Sequence, residues 1–245
     1  MNQSRPQLFG MLAGLFLAAG LVFSAMLATT TWLKVKNSQF ITVKGSARKN
    51  VRSDLIIWRG SFGVEADTLL AAQKNLKADR ERVENFLRAK SFTNAVFTPI
   101  GIEEVKATLK NSDGLTQTRT SGYRLAQTVR IESGDVERVA QLDGESTALV
   151  EQGVVFAAQP PEFIYTKAGE AKIEMLAEAT KDARARVEQI AAQGGRVISR
   201  LHNADMGVIQ IAPMHSVQTS WEGLNDTTSL DKTITAVITA TFSLK

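Results

Sequence analysis

The sequence predicts an α+β protein with a mainly antiparallel sheet or sheets, three helices packed on one side, and one N-terminal transmembrane helix before them. Strand-like alternation and helix-like spacing occupy separate stretches, in the order strand pair, helix, strand pair, helix, strand, helix, strands. An uncharged apolar run precedes all of these stretches. The chain has 245 residues, of which 44% are hydrophobic and 22% charged, so it can form one globular domain or at most two small ones.

The apolar run extends over Leu8–Leu33 and contains no charged residue. A bilayer core needs about 20 apolar residues in a helix, so the run is long enough to span one. Trp32 and the two lysines just after the run occupy the position of an interfacial anchor. A cleaved signal peptide is the rival interpretation, but its apolar core is usually only about 7–15 residues long. We therefore assign residues 1–37 to an uncleaved anchor and its flank, and residues 38–245 to the folded domain.

A row of small residues lies on one side of this predicted helix and consists of Gly10, Gly14 and Ala18. Such a row lets two membrane helices approach closely and pack against each other. The plainer alternative is that glycine and alanine are common in membrane helices for other reasons. The sequence leaves both interpretations open.

Charge does not decide which side of the membrane holds the folded domain. Only Arg5 precedes the run, whereas several lysines and arginines follow it before residue 53. Counted alone, this asymmetry places the domain in the cytoplasm, because basic flanks stay on that side. Long domains, however, translocate largely regardless of charge.

The folded domain begins with two strands and a helix. Residues 40–65 read as two strands with a break near 49–54, because alternating residues come first and a continuous apolar run follows. Asp67 or Thr68 can cap a helix that runs to about Lys90. Its apolar residues recur at three- and four-residue spacing, as one core-facing stripe requires. The members of this stripe are Leu69, Ala72, Leu76, Val83, Phe86 and Leu87.

An antiparallel strand pair and a second helix come next. The strands are Asn94–Lys110 and Thr118–Glu132, and the Asn-Ser-Asp-Gly sequence at 111–114 between them has strong turn chemistry. The helix covers Asp135–Gln152 and ends at Gly153. Its inward residues are predicted to be Val136, Val139, Leu142 and Leu149.

Another strand begins at 154–156, and the pair Pro160-Pro161 indicates either an edge strand or a break. The third helix runs from about Gly169 to Gln193 and stops at two glycines. Apolar residues alternate with threonine in the last strand, which therefore has two different faces. The closing strand-like stretches are 196–201, 207–211 and 233–244.

The third helix is best explained by packing, because its small residues let a backbone lie close to a sheet. Its charged pairs, Asp182 with Arg186 and Arg184 with Glu188, are four residues apart and suit a solvated face. A charged ligand groove is the alternative for those pairs. The predicted inward side consists of Ile173, Leu176, Ala177, Thr180, Ala183, Val187, Ile190 and Ala191.

We predict no catalytic, cofactor-binding or metal-binding residue. Cysteine is absent, and His202 and His215 are the only histidines. The sequence contains neither a Gly-x-Ser-x-Gly nucleophile elbow nor a phosphate-binding glycine loop. A weak metal site near His215, with the carboxylates of the loop-like section 215–232, stays open as an alternative.

Composition also bears on partners. The net charge is +4, but basic and acidic residues are interspersed, whereas a nucleic-acid binder concentrates lysine and arginine on one stripe. We therefore predict no nucleic-acid partner.

Trp58 has apolar neighbours and is predicted to lie in the core. Trp221 lies in a polar loop and is the candidate for an interface, where tryptophan is enriched.

Four stretches share features with a known family. They are ITVKGSARKNVRSDLIIW (Ile41–Trp58), SGYRLAQTVRIES (Ser121–Ser133), QGVVF (Gln152–Phe156) and the helix at Met175–Gly195. Together with the threonine-rich last strand, they resemble the SIMPL-domain family, and more narrowly its bacterial membrane-anchored branch. The resemblance covers roughly residues 40–245. It implies a periplasmic or cell-envelope protein that self-assembles into large rings or cages and is linked to stress tolerance, with no agreed chemistry.

We therefore expect a non-enzymatic, single-pass inner-membrane protein whose folded domain lies in the periplasm. Its expected partners are other copies of itself, in a high-order homo-oligomer, and the lipid bilayer; no cofactor is expected. The domains would associate through exposed strand edges or loops. The alternative is a periplasmic ligand-binding or sensor module for an unknown small molecule or peptide. An unrecognised hydrolase is the third hypothesis, and no nucleophile–base pair is visible to support it.

Overall fold

The computed structural model describes residues 6–36, 39–110 and 116–245. These residues fall into two compact units. Unit 1 contains the chain up to Ala47 together with Leu176–Gly207 and Val237–Lys245. Unit 2 contains Arg48–Met175 and Val208–Ala236. The turn predicted at 111–114 lies outside the described residues.

Five helices and nine strands are formed by the described residues. In chain order they are α1 (Pro6–Lys36), β1 (Phe40–Arg52), β2 (Leu55–Ala66), α2 (Leu69–Ala89), β3 (Val96–Phe97), β4 (Gly101–Lys110), β5 (Thr116–Ser133), α3 (Val136–Glu145), α4 (Ala148–Glu151), β6 (Phe156–Ile164), α5 (Ala168–Gln193), β7 (Ile198–Met206), β8 (Gln210–Pro213) and β9 (Asp231–Leu244).

The strands form two sheets. The five-stranded sheet has the order β3-β5-β2-β6, with β4 also pairing with β5, and its ladders are antiparallel. The four-stranded sheet has the order β1-β9-β7, with β8 also pairing with β9. The pairings of β7 and of β8 with β9 are antiparallel. The predicted α+β class is confirmed.

The main core of unit 2 lies where α2 and α3 pack on β2 and β5. Helix α2 begins at the predicted cap, since the Thr68 hydroxyl accepts a hydrogen bond from the Ala71 amide at 3.2 Å. Four members of the predicted α2 stripe, Ala72, Leu76, Val83 and Leu87, are buried, but its first member is not. Leu69 is 41% exposed and Phe86 only partly buried, whereas Asp79 is buried. The largest fully buried side chains of this core are Ile56, Trp58, Phe62, Leu76, Val83, Leu87, Leu125, Ile131, Leu142 and Leu149.

The second predicted helix is divided into α3 and α4. The division falls at Ser146, whose hydroxyl donates to the Asp143 carbonyl at 2.7 Å and so competes for the helix ladder. Glycine at position 144, a poor helix former, precedes this point. The chain ends α4 at Gly153, where φ is +81° and glycine is favoured. All the residues predicted to face inward on this segment are buried.

Prolines determine where two strands of the five-stranded sheet are interrupted or shifted. The strand predicted at 94–110 is divided into β3 and β4, because Pro99 has no amide hydrogen to donate to a ladder. Strand β6, in contrast, continues through Pro160-Pro161. It does so as an edge strand, and its register with β2 shifts between Ile57 and Arg59, opposite the two prolines. The edge interpretation of the double proline is therefore correct.

The third helix buries a narrower face than the predicted one. Ala183, Val187 and Ala191 are buried as predicted, but Ala177 is exposed. Ile173 is 72% exposed and Ile190 is also exposed, so the predicted inward side is wrong at these positions. The buried residues recur at every fourth position, which places small side chains in one row along the helix. They are Ala171, Met175, Ala179, Ala183, Val187 and Ala191. Within unit 1 this row brings the α5 backbone so close to β1 that a Cβ at Gly45 would lie 2.6 Å from the Ala183 nitrogen.

Candidate membrane anchor and assembly surfaces

Helix α1 has the length and composition of a membrane span. Its segment Gly10–Leu33 has 24 residues and a mean hydropathy of 2.2, and none of it is buried. Three hydroxyl groups within the segment, those of Ser24, Thr29 and Thr30, donate to its own backbone, which suits a lipid environment. Ser24 donates to the Gly20 carbonyl at 2.8 Å and Thr29 to the Ala25 carbonyl at 2.7 Å. The prediction of one N-terminal helix able to span a membrane is confirmed.

The predicted packing row lies on one side of α1. Gly10, Gly14 and Ala18 are four residues apart, and four-residue spacing places side chains on the same helical face. No atom would come within 4 Å of a Cβ at Gly10 or Gly14, so this face is open. Trp32 is exposed near the C-terminal end of the same helix. Packing of α1 against another helix stays a prediction.

Strands β4 and β5 form a hairpin whose outer part we call the arm, comprising residues 105–110 and 116–121. Within the arm each strand pairs with the other. None of the arm residues whose side chains are described, 105–108 and 116–121, is buried. Local hydrogen bonds include that from the Ser121 hydroxyl to the Val105 carbonyl at 3.1 Å. The arm therefore places both faces of a two-stranded ribbon in solvent.

Strand β7 is the second exposed element, and it lies at an edge of the four-stranded sheet. All its residues except Ile198 are exposed, including the apolar Leu201 and Met206. His202 lies on this strand, and its ring is 4.6 Å from the ring of Phe40. This histidine therefore contacts an aromatic ring.

The loop section 215–232 is held by a buried ion pair between Asp226 and Lys232. Lys232 Nζ lies 3.1 Å from Asp226 Oδ2. Burial acts to raise the pKa of Asp226, but hydrogen bonds from Thr228, Lys232 and Ser229 outweigh it and lower the pKa to about 2. The alternation of β9 carried a signal for this pair, because position 232 falls on the same buried face as Ile234.

The remaining candidate residues of this section have different surroundings. Trp221, the predicted interface residue, is 85% exposed, as a contact residue must be in a free chain. Asp226 forms an ion pair with Lys232, and the Asp231 carboxylate lies 3.9 Å from Arg52. Among the described residues no group of three or more histidine, aspartate or glutamate side chains could hold a metal ion. Trp58 is fully buried, as predicted, and its indole donates to Asp143 at 3.0 Å.

Comparison with solved structures found similarity to an amidase of the hydantoinase/carbamoylase family from Burkholderia phymatum. The identity is 14%, the match covers 54% of this chain and 33% of the amidase chain, and the TM-score is 0.24. This chain thus spans about a third of the amidase's length, and a likeness at this level carries no argument about fold or activity. Comparison with curated proteins found no match.

The comparison with family models agrees with the strands and helices described above. The model named SIMPL, described as a protein of unknown function (DUF541), matches residues 41–242. The match begins at the second residue of β1 and ends within β9, so it includes both sheets and α2 to α5. The match leaves out only residues 1–40, which include α1, and residues 243–245, and the chain therefore belongs to the SIMPL family.

Proposed function

We propose that this protein is a non-enzymatic, membrane-anchored envelope protein of the bacterial anchored branch of its family, which self-assembles into a large homo-oligomeric ring or cage. The anchor is a single pass through the inner membrane, and the folded part lies in the periplasm. Its physiological role is to support stress tolerance, as the family resemblance implies. The observation that carries self-assembly is the arm formed by β4 and β5.

The described residues of the chain provide no surface that buries the arm, and we propose that another copy provides it. An isolated two-stranded ribbon is at best marginally stable in water, because it buries little apolar area. The described arm side chains are all exposed or half-buried, so burial within the chain contributes little to the arm. Its β-branched residues, such as Thr116, Thr118 and Thr120, favour the extended conformation of a ribbon. A second copy of the chain is the simplest partner for such a ribbon, since repeated identical contacts close into symmetric assemblies.

The exposed edge strand and the anchor add to this argument. Strand β7 presents unpaired backbone groups along one edge, which is a template for pairing with another chain. Helix α1 would hold many copies in the same membrane, so that weak contacts act together at a high effective concentration. Neither feature requires a reactive group, and the buried polar side chains described above serve structural hydrogen bonds.

The proposal is tested by measuring the mass of the full chain in nanodiscs or mild detergent by mass photometry. We expect a high-order species for the natural chain. In the matched variant, residues 106–121 are replaced by Asn-Gly, so that a two-residue turn closes the hairpin at the paired residues Val105 and Gly122. This variant removes no buried side chain among the described residues, so its unfolding temperature should be retained while its assembly is lost.

A strictly monomeric natural chain over the whole accessible concentration range would end the proposal. An arm-deleted variant that assembles like the natural chain would instead exclude the arm as the assembly element and leave β7 to be tested in the same way. The position of the folded part is tested separately, with C-terminal fusions to alkaline phosphatase and to a cytoplasmic fluorescent protein. Alkaline phosphatase activity is expected, and fluorescence of the other fusion would contradict the periplasmic assignment.

A further inference from the structure

Unit 2 contains a polar groove of about 440 Å³ between a sheet face and the segment 215–219. The sheet face belongs to three neighbouring strands, β1, β9 and β8. Each strand contributes two residues at alternate positions, whose side chains therefore point to the same side of the sheet. These residues are Arg48 and Asn50, Thr233 and Thr235, and Gln210 and Ala212.

Apart from Ala212 and Val217, the side chains that line this groove are polar, and none of them carries a negative charge. Besides the residues of the sheet face, His215, Gln218 and Thr219 line it from the opposite segment, and no lining residue is an aspartate or a glutamate. In the described part of the chain Arg48 forms no ion pair within 4.0 Å. A guanidinium with free donors, in a groove without carboxylates, favours an anionic group that can accept two hydrogen bonds at once.

A second, larger groove in the same unit has a volume of about 710 Å³, but it has no arginine that is free to bind an anion among the described residues. Its arginines are already paired with carboxylates of the same chain. Arg124 lies 3.0 Å from Glu65 and 3.6 Å from Glu103. Arg82 lies 2.6 Å from Asp79. An anion would have to compete with these carboxylates, whereas at Arg48 it would not.

The polar groove is also held in place before any ligand arrives. The buried Gln210 side chain donates to the Ser220 carbonyl at 2.6 Å and accepts from the Ser220 amide at 3.1 Å, which fixes the end of the covering segment. The Thr233 hydroxyl and Asn50 Oδ1 are hydrogen-bonded at 2.9 Å. Because a carboxamide oxygen can only accept, this bond leaves the Asn50 amide N–H groups to donate elsewhere. A site prepared in this way loses less conformational entropy on binding.

We propose that this groove binds a small hydrophilic molecule that carries one carboxylate or phosphate group and several hydroxyls. The anionic group lies at Arg48, and the hydroxyls contact Asn50, Gln218 and the threonines. The inference is independent of self-assembly, because all the residues that carry it lie in unit 2 of a single chain.

The test uses the full chain in phosphatidylcholine nanodiscs and isothermal titration calorimetry with four sugars of similar size. Glucuronate carries a carboxylate, glucose 6-phosphate a phosphate, glucose no charge and glucosamine a positive charge. We expect both anions to bind, with glucose and glucosamine weaker by about tenfold or more, the discrimination typical of a charge-assisted contact. The stronger of the two anions identifies the anionic group. Equal binding of glucose and glucuronate, or no heat from either anion at millimolar concentrations, would overturn the proposal.

Two arginine variants locate the site. Arg48→Gln should weaken the binding of both anions by about tenfold and leave that of glucose unchanged, because only the charge-assisted contact is lost. Arg130→Gln removes the same charge from a strand of the other sheet and should bind the anions like the natural chain. Arg48 and Arg130 are both exposed, so both variants should keep the natural unfolding temperature. Natural anion affinity in Arg48→Gln would place the binding elsewhere and refute the assignment.

Discussion

Lys232 Nζ lies 3.1 Å from the carboxylate of Asp226, and the two side chains are only 1% and 6% exposed. The same ammonium group donates to the main-chain carbonyl of Asp226 at 2.7 Å. The carboxylate also accepts from the amide and hydroxyl of Thr228 at 2.9 and 2.7 Å. A charge pair that is buried and hydrogen-bonded in this way ties the end of the 215–232 section to the buried face of β9.

Replacing Lys232 by methionine should strongly destabilise unit 2. The substitution leaves the buried Asp226 carboxylate without its cation, and breaking a buried pair typically costs about 3–5 kcal/mol. Urea denaturation followed by tryptophan fluorescence measures the loss. Lys44→Met, on the exposed face of β1, removes the same charge and should change the free energy of unfolding by less than about 0.5 kcal/mol. Similar stabilities for the two variants would show that the buried pair contributes nothing.

Asp226 should make the stability depend on acid pH. Its pKa is about 2 in the folded chain, against 3.8 for the free group, so the unfolded chain binds the extra proton between these values. Stability from this group is therefore complete above about pH 4 and is lost as the pH falls towards 2, by about 2 kcal/mol in all. Asp226→Asn, which cannot titrate, should lack this part of the slope in denaturation curves recorded between those pH values. An unchanged slope would contradict the assignment.

Gly45→Ala should destabilise unit 1 because the added methyl group has no room. A Cβ at this position would lie 2.6 Å from both the nitrogen and the Cβ of Ala183. Overpacking of this kind typically costs about 1–3 kcal/mol, since the backbones of β1 and α5 must separate. Gly169→Ala, where no atom lies within 4 Å of the new methyl, is the matched control and should be neutral or slightly stabilising. Thermal unfolding followed by circular dichroism distinguishes the two variants.

The sequence alone predicted which face of an element is buried where an apolar pattern repeats over many residues. The period of two in β9 and the spacing of Val136, Val139 and Leu142 identified buried faces correctly, because burial follows directly from side-chain periodicity. The buried face of α5 was predicted less well. Its residues include both alanines and large apolar groups on neighbouring sides, so hydrophobicity alone does not determine the face. Close approach at Gly45 decides it, and that contact joins residues more than 130 positions apart in the sequence.

Polar contacts were harder to predict than buried faces. Their partners are distant in the sequence, and some are backbone groups, which no side-chain pattern indicates. Asp182 was predicted to pair with Arg186, and it does so at 2.8 Å. It also accepts from the Ser46 amide at 2.8 Å, and these two hydrogen bonds lower its pKa. No local spacing indicates the second bond. The polar groove likewise combines three strands and one loop segment, and such a combination is visible only after the strand order is known.

The small-residue row on α1 can be tested with one pair of variants. Gly14→Leu should weaken association between the α1 helices of different copies, because a large side chain prevents the close backbone approach that such a row permits. Gly20→Leu is the matched control, since this glycine lies off the row and has equally open surroundings. Energy transfer between labelled full-length chains in vesicles measures the association. Equal transfer in both variants would favour the plainer interpretation, in which the row reflects membrane-helix composition alone.

Trp221→Ala tests the predicted interface residue. The side chain is 85% exposed, so its removal should change the free energy of unfolding by less than about 0.5 kcal/mol. If the indole lies at the centre of a contact between copies, truncation should weaken each contact by about 2 kcal/mol or more, as is typical of tryptophan at interface hot spots. Mass photometry of the full chain should then show a shift to smaller species at a concentration where the natural chain is assembled.

Two further variants keep this test specific. Trp221→Phe retains an aromatic surface and should keep much of the assembly, whereas a loss as large as that of alanine would indicate that the indole N–H donates across the contact. Glu222→Ala alters the adjacent exposed residue of the same loop and should assemble like the natural chain. Loss of assembly in this variant would indicate that the conformation of the loop, and not the indole, determines the contact. Natural assembly in Trp221→Ala would exclude this residue from the interface and direct attention to the arm and to β7.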